Sequence, residues 1–178
     1  MPQVSISLAL SRGLPGVGRM RKEYIMNPLD MFRKKFEIYR KVLDEADEKK
    51  AWDTLFEGYP ERQRQHMGAI IEKFNTLAEA FNSAVPQYKQ LGMDMQVIDI
   101  SNDGKDAVLE VQRTCPALQF HMHTDFGFEK PCKIICEMDV AATNAAFADM
   151  GMKGSILCAQ ADGNCVCMFK YERPKKTK

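Results

Sequence analysis

The sequence predicts an α+β fold in which an N-terminal helical layer packs on an antiparallel sheet, completed by a third helix and a C-terminal β-hairpin. Three observations predict it. Between Leu29 and Phe81, apolar residues recur every three or four positions, as on amphipathic helices. After Gly92 the apolar period falls to two, the spacing of half-buried strands. Near the C-terminus, Asp162-Gly163 separates two short strand-like runs, and that dipeptide favours a two-residue hairpin turn.

A chain of 178 residues has the length of one ordinary domain, assigned from the sequence to residues 27–172. Residues 1–25 hold Arg12, Arg19, Arg21 and Lys22 and no acid before Glu23. Transit peptides share that composition. The plainer expectation for residues 1–26 is a flexible tail, or an extension upstream of a start at Met26. Residues 173–178 are expected to be a solvated basic tail. With 45% hydrophobic residues and a formal charge of +1, the composition speaks against a nucleic-acid partner or an anionic membrane surface. No apolar run reaches the roughly 18 residues that suggest a membrane span. All six cysteines fall between Cys115 and Cys167, which favours reduced thiols and a cytoplasmic location over a disulfide scaffold. Oligomeric state is not legible.

Asn27 can cap the first helix, Pro28 suits its first position and Asp30 its positive end. Leu29, Phe32, Phe36, Tyr39, Leu43 and Ala46 form the apolar stripe, and the helix is expected to run on through Trp52 to Phe56 before Gly58 and Pro60. A second helix starts near Pro60 with Met67, Ile70, Ile71, Phe74, Leu77, Ala78 and Phe81 on one side, and Pro86 should end or kink it. Residues 93–100 read as a strand and Asn102-Asp103-Gly104 as a turn. A second strand follows, with Ala107, Leu109 and Val111 in alternation. After Cys115-Pro116, Leu118, Phe120 and Met122 alternate with Gln119, His121 and His123, which predicts a third strand or extended segment. A loop over 125–130 leads to a helix from Pro131 to about Asp149. In the hairpin, a tight turn at Asp162-Gly163 sets Cys158 opposite Cys167. Ile156, Cys158, Cys165, Cys167, Phe169 and Tyr171 then share one face.

Two thiol groups stand out: Cys132 and Cys136 with Asp139 at i, i+4, i+7 on a helix, and Cys158, Cys165 and Cys167 on the hairpin. Zinc would need four ligands at about 2.0–2.3 Å, and no C-x-x-C is present. A buried thiol is also an ordinary small apolar residue. Catalysis would need an activated thiolate or a carboxylate beside a base. Cys136 lies one turn before Asp139, and His121 or His123 could approach from the preceding segment. Asp before Gly is also simply good turn chemistry.

The run Cys115-Pro116, Cys132-x3-Cys136-x2-Asp139 and Ala159-x2-Asp162-x2-Cys165, with Phe169 after it, resembles the L-2-amino-thiazoline-4-carboxylic acid hydrolase-like family. The resemblance covers roughly Val111 to Tyr171. Ala161 stands where that family has glycine and Cys167 where it has phenylalanine, and Met152-Lys153 replaces an Arg or Glu-Arg. Such a family implies a small hydrolase acting on a compact C–N or C–S metabolite at an amidine-like ring carbon. Its roles would fall on Cys136 as nucleophile or ligand and on Asp139 and His123 as proton carriers. His121, Asp162 and Cys165 would complete the substrate pocket. The closing segment also resembles 4-vinyl reductase-type domains, which implies a non-catalytic module for a small molecule, a tetrapyrrole or a metal. In that reading Cys132, Cys158 and Cys167 are the candidate ligands for zinc or another metal.

Overall fold

The computed structural model describes residues 28–175. Asn27, the N-terminal segment and the last three residues lie outside them. The fold is α+β, with helices over one face of a four-stranded antiparallel sheet of order β1-β2-β4-β3. Among the described residues no helix is long and apolar enough to cross a membrane.

Helix α1 spans Pro28–Glu45 and buries Phe32, Phe36 and Tyr39, as its stripe predicts. It does not continue to Phe56. Asp47 adopts an extended backbone, accepts the Lys50 N–H at 2.7 Å, and caps a separate helix α2, Glu48–Phe56. The second expected helix is likewise two: α3, Tyr59–Lys73, and α4, Leu77–Gln90. Thr76 and Glu79 form a reciprocal capping box at the break, satisfying two amide groups that an isolated helix start would leave unpaired. Pro86 lies inside α4 and does not end it; the helix runs on to Gln90. A proline removes one helical hydrogen bond, and burial of Leu77, Ala80, Phe81 and Ala84 offsets it here.

Strands β1 (Asp94–Asp99) and β2 (Lys105–Thr114) pair across the expected turn. The segment after Cys115, expected as a strand, is instead helix α5, Pro116–Met122. Pro116 takes the first helical position, and the Cys115 sulfur caps it by accepting the Leu118 N–H at 3.4 Å. Pro116, Ala117 and Phe120 are buried, a helical rather than an alternating set. Phe126 and Phe128 fold back from the following loop onto Phe36, with centroids 5.4 and 5.5 Å away. The third long helix forms as expected, but Lys133–Glu137 is a wide π-helical turn leading into α6, Met138–Ala146. A short 3₁₀ turn and Gly151 at φ 64° stop it.

The hairpin of β3 (Lys153–Cys158) and β4 (Cys167–Pro174) keeps the expected register at its base, with Gly154 opposite Tyr171 and Ile156 opposite Phe169. Gly154 is required there, since a Cβ would sit 2.6 Å from the Tyr171 ring. Beyond Ile156 the register shifts, and Cys158 faces Met168 instead of Cys167. The tip is no two-residue turn: Gln160–Asp162 form a 3₁₀ turn and Gly163 follows at φ 85°. Gln160 explains the wider loop, because its side-chain N–H groups donate to Arg113 O and Cys165 O at 2.9 and 3.0 Å. Cys165 is therefore exposed and leaves the face assigned to it. Gly163→Ala should lower stability by about 1–2 kcal/mol, because a Cβ is strained at that φ. The urea midpoint reads it, and an unshifted midpoint would mean that residue 163 relaxes to an ordinary conformation at no cost.

Arg173, expected in a solvated tail, is only 2% exposed. It lies on β4 opposite Asp106, and its Nε donates to Asp106 Oδ2 at 2.8 Å. This pair belongs to an unusual sheet face. Asp106, Val108, Glu110 and Gln112 of β2 stand beside Arg173, Tyr171, Phe169 and Cys167 of β4, and all eight are buried. Leu109 and Val111, by contrast, point to the other side and are half-buried.

Candidate functional site

The inward polar residues of β2 have separate explanations. Asp106 is fully engaged: its carboxylate also accepts the Leu77 N–H, tying the start of α4 to the sheet. Gln112 donates to Thr114 O at 2.8 Å. Glu110 is different. It is 4% exposed, and its Oε1 is buried without a hydrogen-bond partner. Burial, and then the nearby Asp139 carboxylate, push its pKa up to about 8, so the group is largely protonated near neutrality.

The facing helices bring a chain of polar groups. Lys35 of α1 donates to the Tyr59 hydroxyl at 3.0 Å, and that hydroxyl donates to Asp139 Oδ1 of α6 at 2.7 Å. Burial lowers the Lys35 pKa against the opposing pull of Asp139. Burial likewise raises that of Asp139, against the Tyr59 hydrogen bond and the Lys35 charge. Tyr88 and Tyr171 are raised well above the ordinary tyrosine value, by burial first and the Glu110 charge second. Two carboxyl groups, an amine and three phenols thus share a poorly solvated region between the sheet and the helices. Each can give or take a hydrogen bond there.

Beside it lies a thiol cluster. Cys115, Cys132, Cys136 and Cys167 line a void of about 10 Å³, together with Leu118, Pro131, Ile135 and Ala161. That is room for about one water molecule. The pKa of Cys115 is lowered, chiefly by the neighbouring Cys136 and Cys167 thiols and further by the Leu118 amide, against its burial. Cys136 and Cys167 are raised, chiefly because each donates to Cys115 and then by other thiols or burial. The sulfur prepared to carry charge is Cys115, at the cap of α5.

The remaining sequence candidates are spread out. Cys132, Cys158 and Asp162 line an open groove of about 460 Å³ between α6 and β3, with Glu137 and Asn144. The Cys158 thiol donates to Val166 O at 3.4 Å. His121 Nε2 accepts the Phe128 N–H at 3.0 Å, and its ring packs on Phe36 and Phe128. His123 is exposed at the end of α5, as is Cys165 at the hairpin tip. Among the described residues no three His, Cys, Asp or Glu side chains are grouped so as to hold a metal ion. Cys132, Cys158 and Cys167 in particular divide between the groove and the thiol void.

Lys35, Tyr59 and Glu110 are absent from the sequence candidates. Glu110 carried a faint signal, a carboxylate between Leu109 and Val111 in the middle of a strand. Lys35 and Tyr59 carried none, since one looks like an outer-face cation and the other like a residue before a helix-opening proline.

No family model and no curated protein matches this chain. Among solved structures that match is the phenol-responsive sensory domain of the transcription activator PoxR, determined with phenol. It is 9% identical, with a TM-score of 0.49, over 86% of this chain and 77% of that one.

Proposed function

We propose that this protein is a small-molecule-binding module whose ligand inserts between Glu110 on the sheet and the Lys35–Tyr59–Asp139 chain on the helices. The observation that carries this reading is the buried, unpartnered Oε1 of Glu110. Leaving such a group unpaired costs about 1–3 kcal/mol, a penalty a ligand N–H or O–H removes on binding. The neighbourhood selects the ligand class. Two carboxyl groups with raised pKa values favour a compact molecule rich in N–H donors, such as a cyclic amidine, which delivers positive charge to both. Binding is preferred to hydrolysis because the Cys136 thiol is held protonated by donating to Cys115, and His121 Nε2 is occupied by a backbone amide.

The test uses 2-amino-2-thiazoline as probe. At saturating concentration it should raise the melting temperature of the wild-type protein by several degrees, consistent with binding linkage. Glu110→Gln should reduce that rise at least by half while remaining folded by circular dichroism. A thiol-release assay runs alongside, because hydrolytic opening of the ring would free a sulfhydryl. No release is expected; steady release would replace the binding module with the hydrolase that the sequence resemblance implies. Equal stabilisation of the wild type and of Glu110→Gln would remove Glu110 from the site.

A further inference from the structure

The thiol cluster is not used by the ligand site described above, and its geometry points to a separate chemistry. We propose that Cys115 is an oxidation site, and that a peroxide converts Cys115 and Cys136 into a disulfide. Three observations support the assignment. Cys115 and Cys136 line one and the same small void, which makes the two thiols neighbours. The Leu118 N–H points at the Cys115 sulfur from 3.4 Å and favours its charged, nucleophilic form. A void of about 10 Å³ lies against both sulfurs, bounded by the half-buried Cys132, and is on the scale of a water molecule.

The chemistry balances with hydrogen peroxide as oxidant. The Cys115 sulfur attacks one peroxide oxygen, the O–O bond breaks, and hydroxide leaves as water after taking a proton. Cys115 becomes a sulfenic acid. The Cys136 sulfur then attacks the Cys115 sulfur, the S–O bond breaks, and a second water leaves with the Cys136 proton. Two thiols lose two electrons in all, and one peroxide becomes two waters.

Cys167 lines the same void as Cys115, yet Cys136 is the better partner. Cys167 is fixed in the β4 ladder opposite Gln112 and accepts the Gln160 N–H at 3.2 Å. Cys136 lies in the π-helical turn Lys133–Glu137, where hydrogen bonding is looser and a backbone adjustment is easier. Closing a disulfide needs sulfurs at about 2.05 Å, so one of the two must move.

The experiment treats the full-length wild-type protein with hydrogen peroxide, blocks remaining thiols with an alkylating agent, and denatures it. The thiol count should fall from six to four. Non-reducing peptide mapping should find a linkage between Cys115 and Cys136, resolved by fragmentation because Cys115 and Cys132 share a tryptic peptide. In Cys136→Ser, Cys115 should be trapped by dimedone as a sulfenic acid. A count that stays at six, or loss confined to the exposed Cys165, overturns the proposal. A Cys115–Cys167 linkage in the wild-type protein overturns the choice of Cys136, whether or not the Cys136→Ser variant folds.

Discussion

Replacing Asp106 by alanine should cost the protein about 3–5 kcal/mol, the range for breaking a buried ion pair from one side. The two side chains are 2% and 5% exposed, and Asp106 Oδ2 receives Arg173 Nε at 2.8 Å. Arg173 also donates from Nη2 to Asn75 O at 3.2 Å, while its Nη1 is buried without a partner. Without the carboxylate, the guanidinium would stay in a low-dielectric site with only a carbonyl for compensation. The Leu77 amide would lose its acceptor as well. Urea denaturation measures the effect. Asp106→Leu combined with Arg173→Leu should recover much of the loss, because it removes the stranded charge along with its partner. A loss under about 1 kcal/mol for Asp106→Ala would show that water reaches Arg173 and that this corner of the sheet is open.

Glu110 should make the fold less stable as the solution becomes alkaline. Its pKa is pushed up to about 8 in the folded protein by burial and the neighbouring Asp139 carboxylate, against an ordinary value near 4.5. Between those values the folded chain binds more protons than the unfolded one. Stability therefore falls with rising pH across that window, and the fall levels off once the folded group has ionised. The raised pKa of Asp139 acts in the same direction at the lower end. From pH 5 to about 8.5 the wild-type protein should lose on the order of 2–4 kcal/mol relative to Glu110→Gln, which keeps the shape without the titration. Parallel unfolding curves for the two proteins over this range would mean that Glu110 ionises in contact with water.

Much of the helical layer was legible because its apolar stripes are long. Phe32, Phe36 and Tyr39, and then Met67, Ile71 and Phe81, are all buried where their spacing puts them. The breaks were harder, although Asp47 and the pair Thr76 and Glu79 carry capping chemistry in plain sight. The apolar period continues across each break, and periodicity masks a change of helix axis. Helix α5 is hidden for the opposite reason: five alternating residues between Leu118 and Met122 fit a strand as well as a short helix, and Cys115 is an uncommon cap. For β2, the usual guide misleads. Leu109 and Val111 face away from the helices while Asp106, Glu110 and Gln112 face them, so hydrophobicity selects the wrong side. Site geometry depended on contacts distant in sequence. Cys115 meets Cys136 and Cys167 only after α5, the π-helical turn and β4 have packed, and local spacing holds no trace of that meeting.

The wide turn at Lys133–Glu137 gives its segment room to change length by one residue. Successive residues of an α-helix are offset by about 100°, and the five residues of the wide turn cover about the rotation of four such residues, so Pro131 and Cys132 keep the phase to Asp139 that a plain α-helix one residue shorter would give them. Asp139 is anchored by Tyr59, and Cys132 borders both the thiol void and the open groove. The extra residue is thus taken up inside the turn, and the phase between these two neighbourhoods does not depend on it. A lineage carrying this fold should accept a single-codon deletion between positions 133 and 137, where the turn can close to an ordinary helical one, more readily than a deletion within Met138–Ala146.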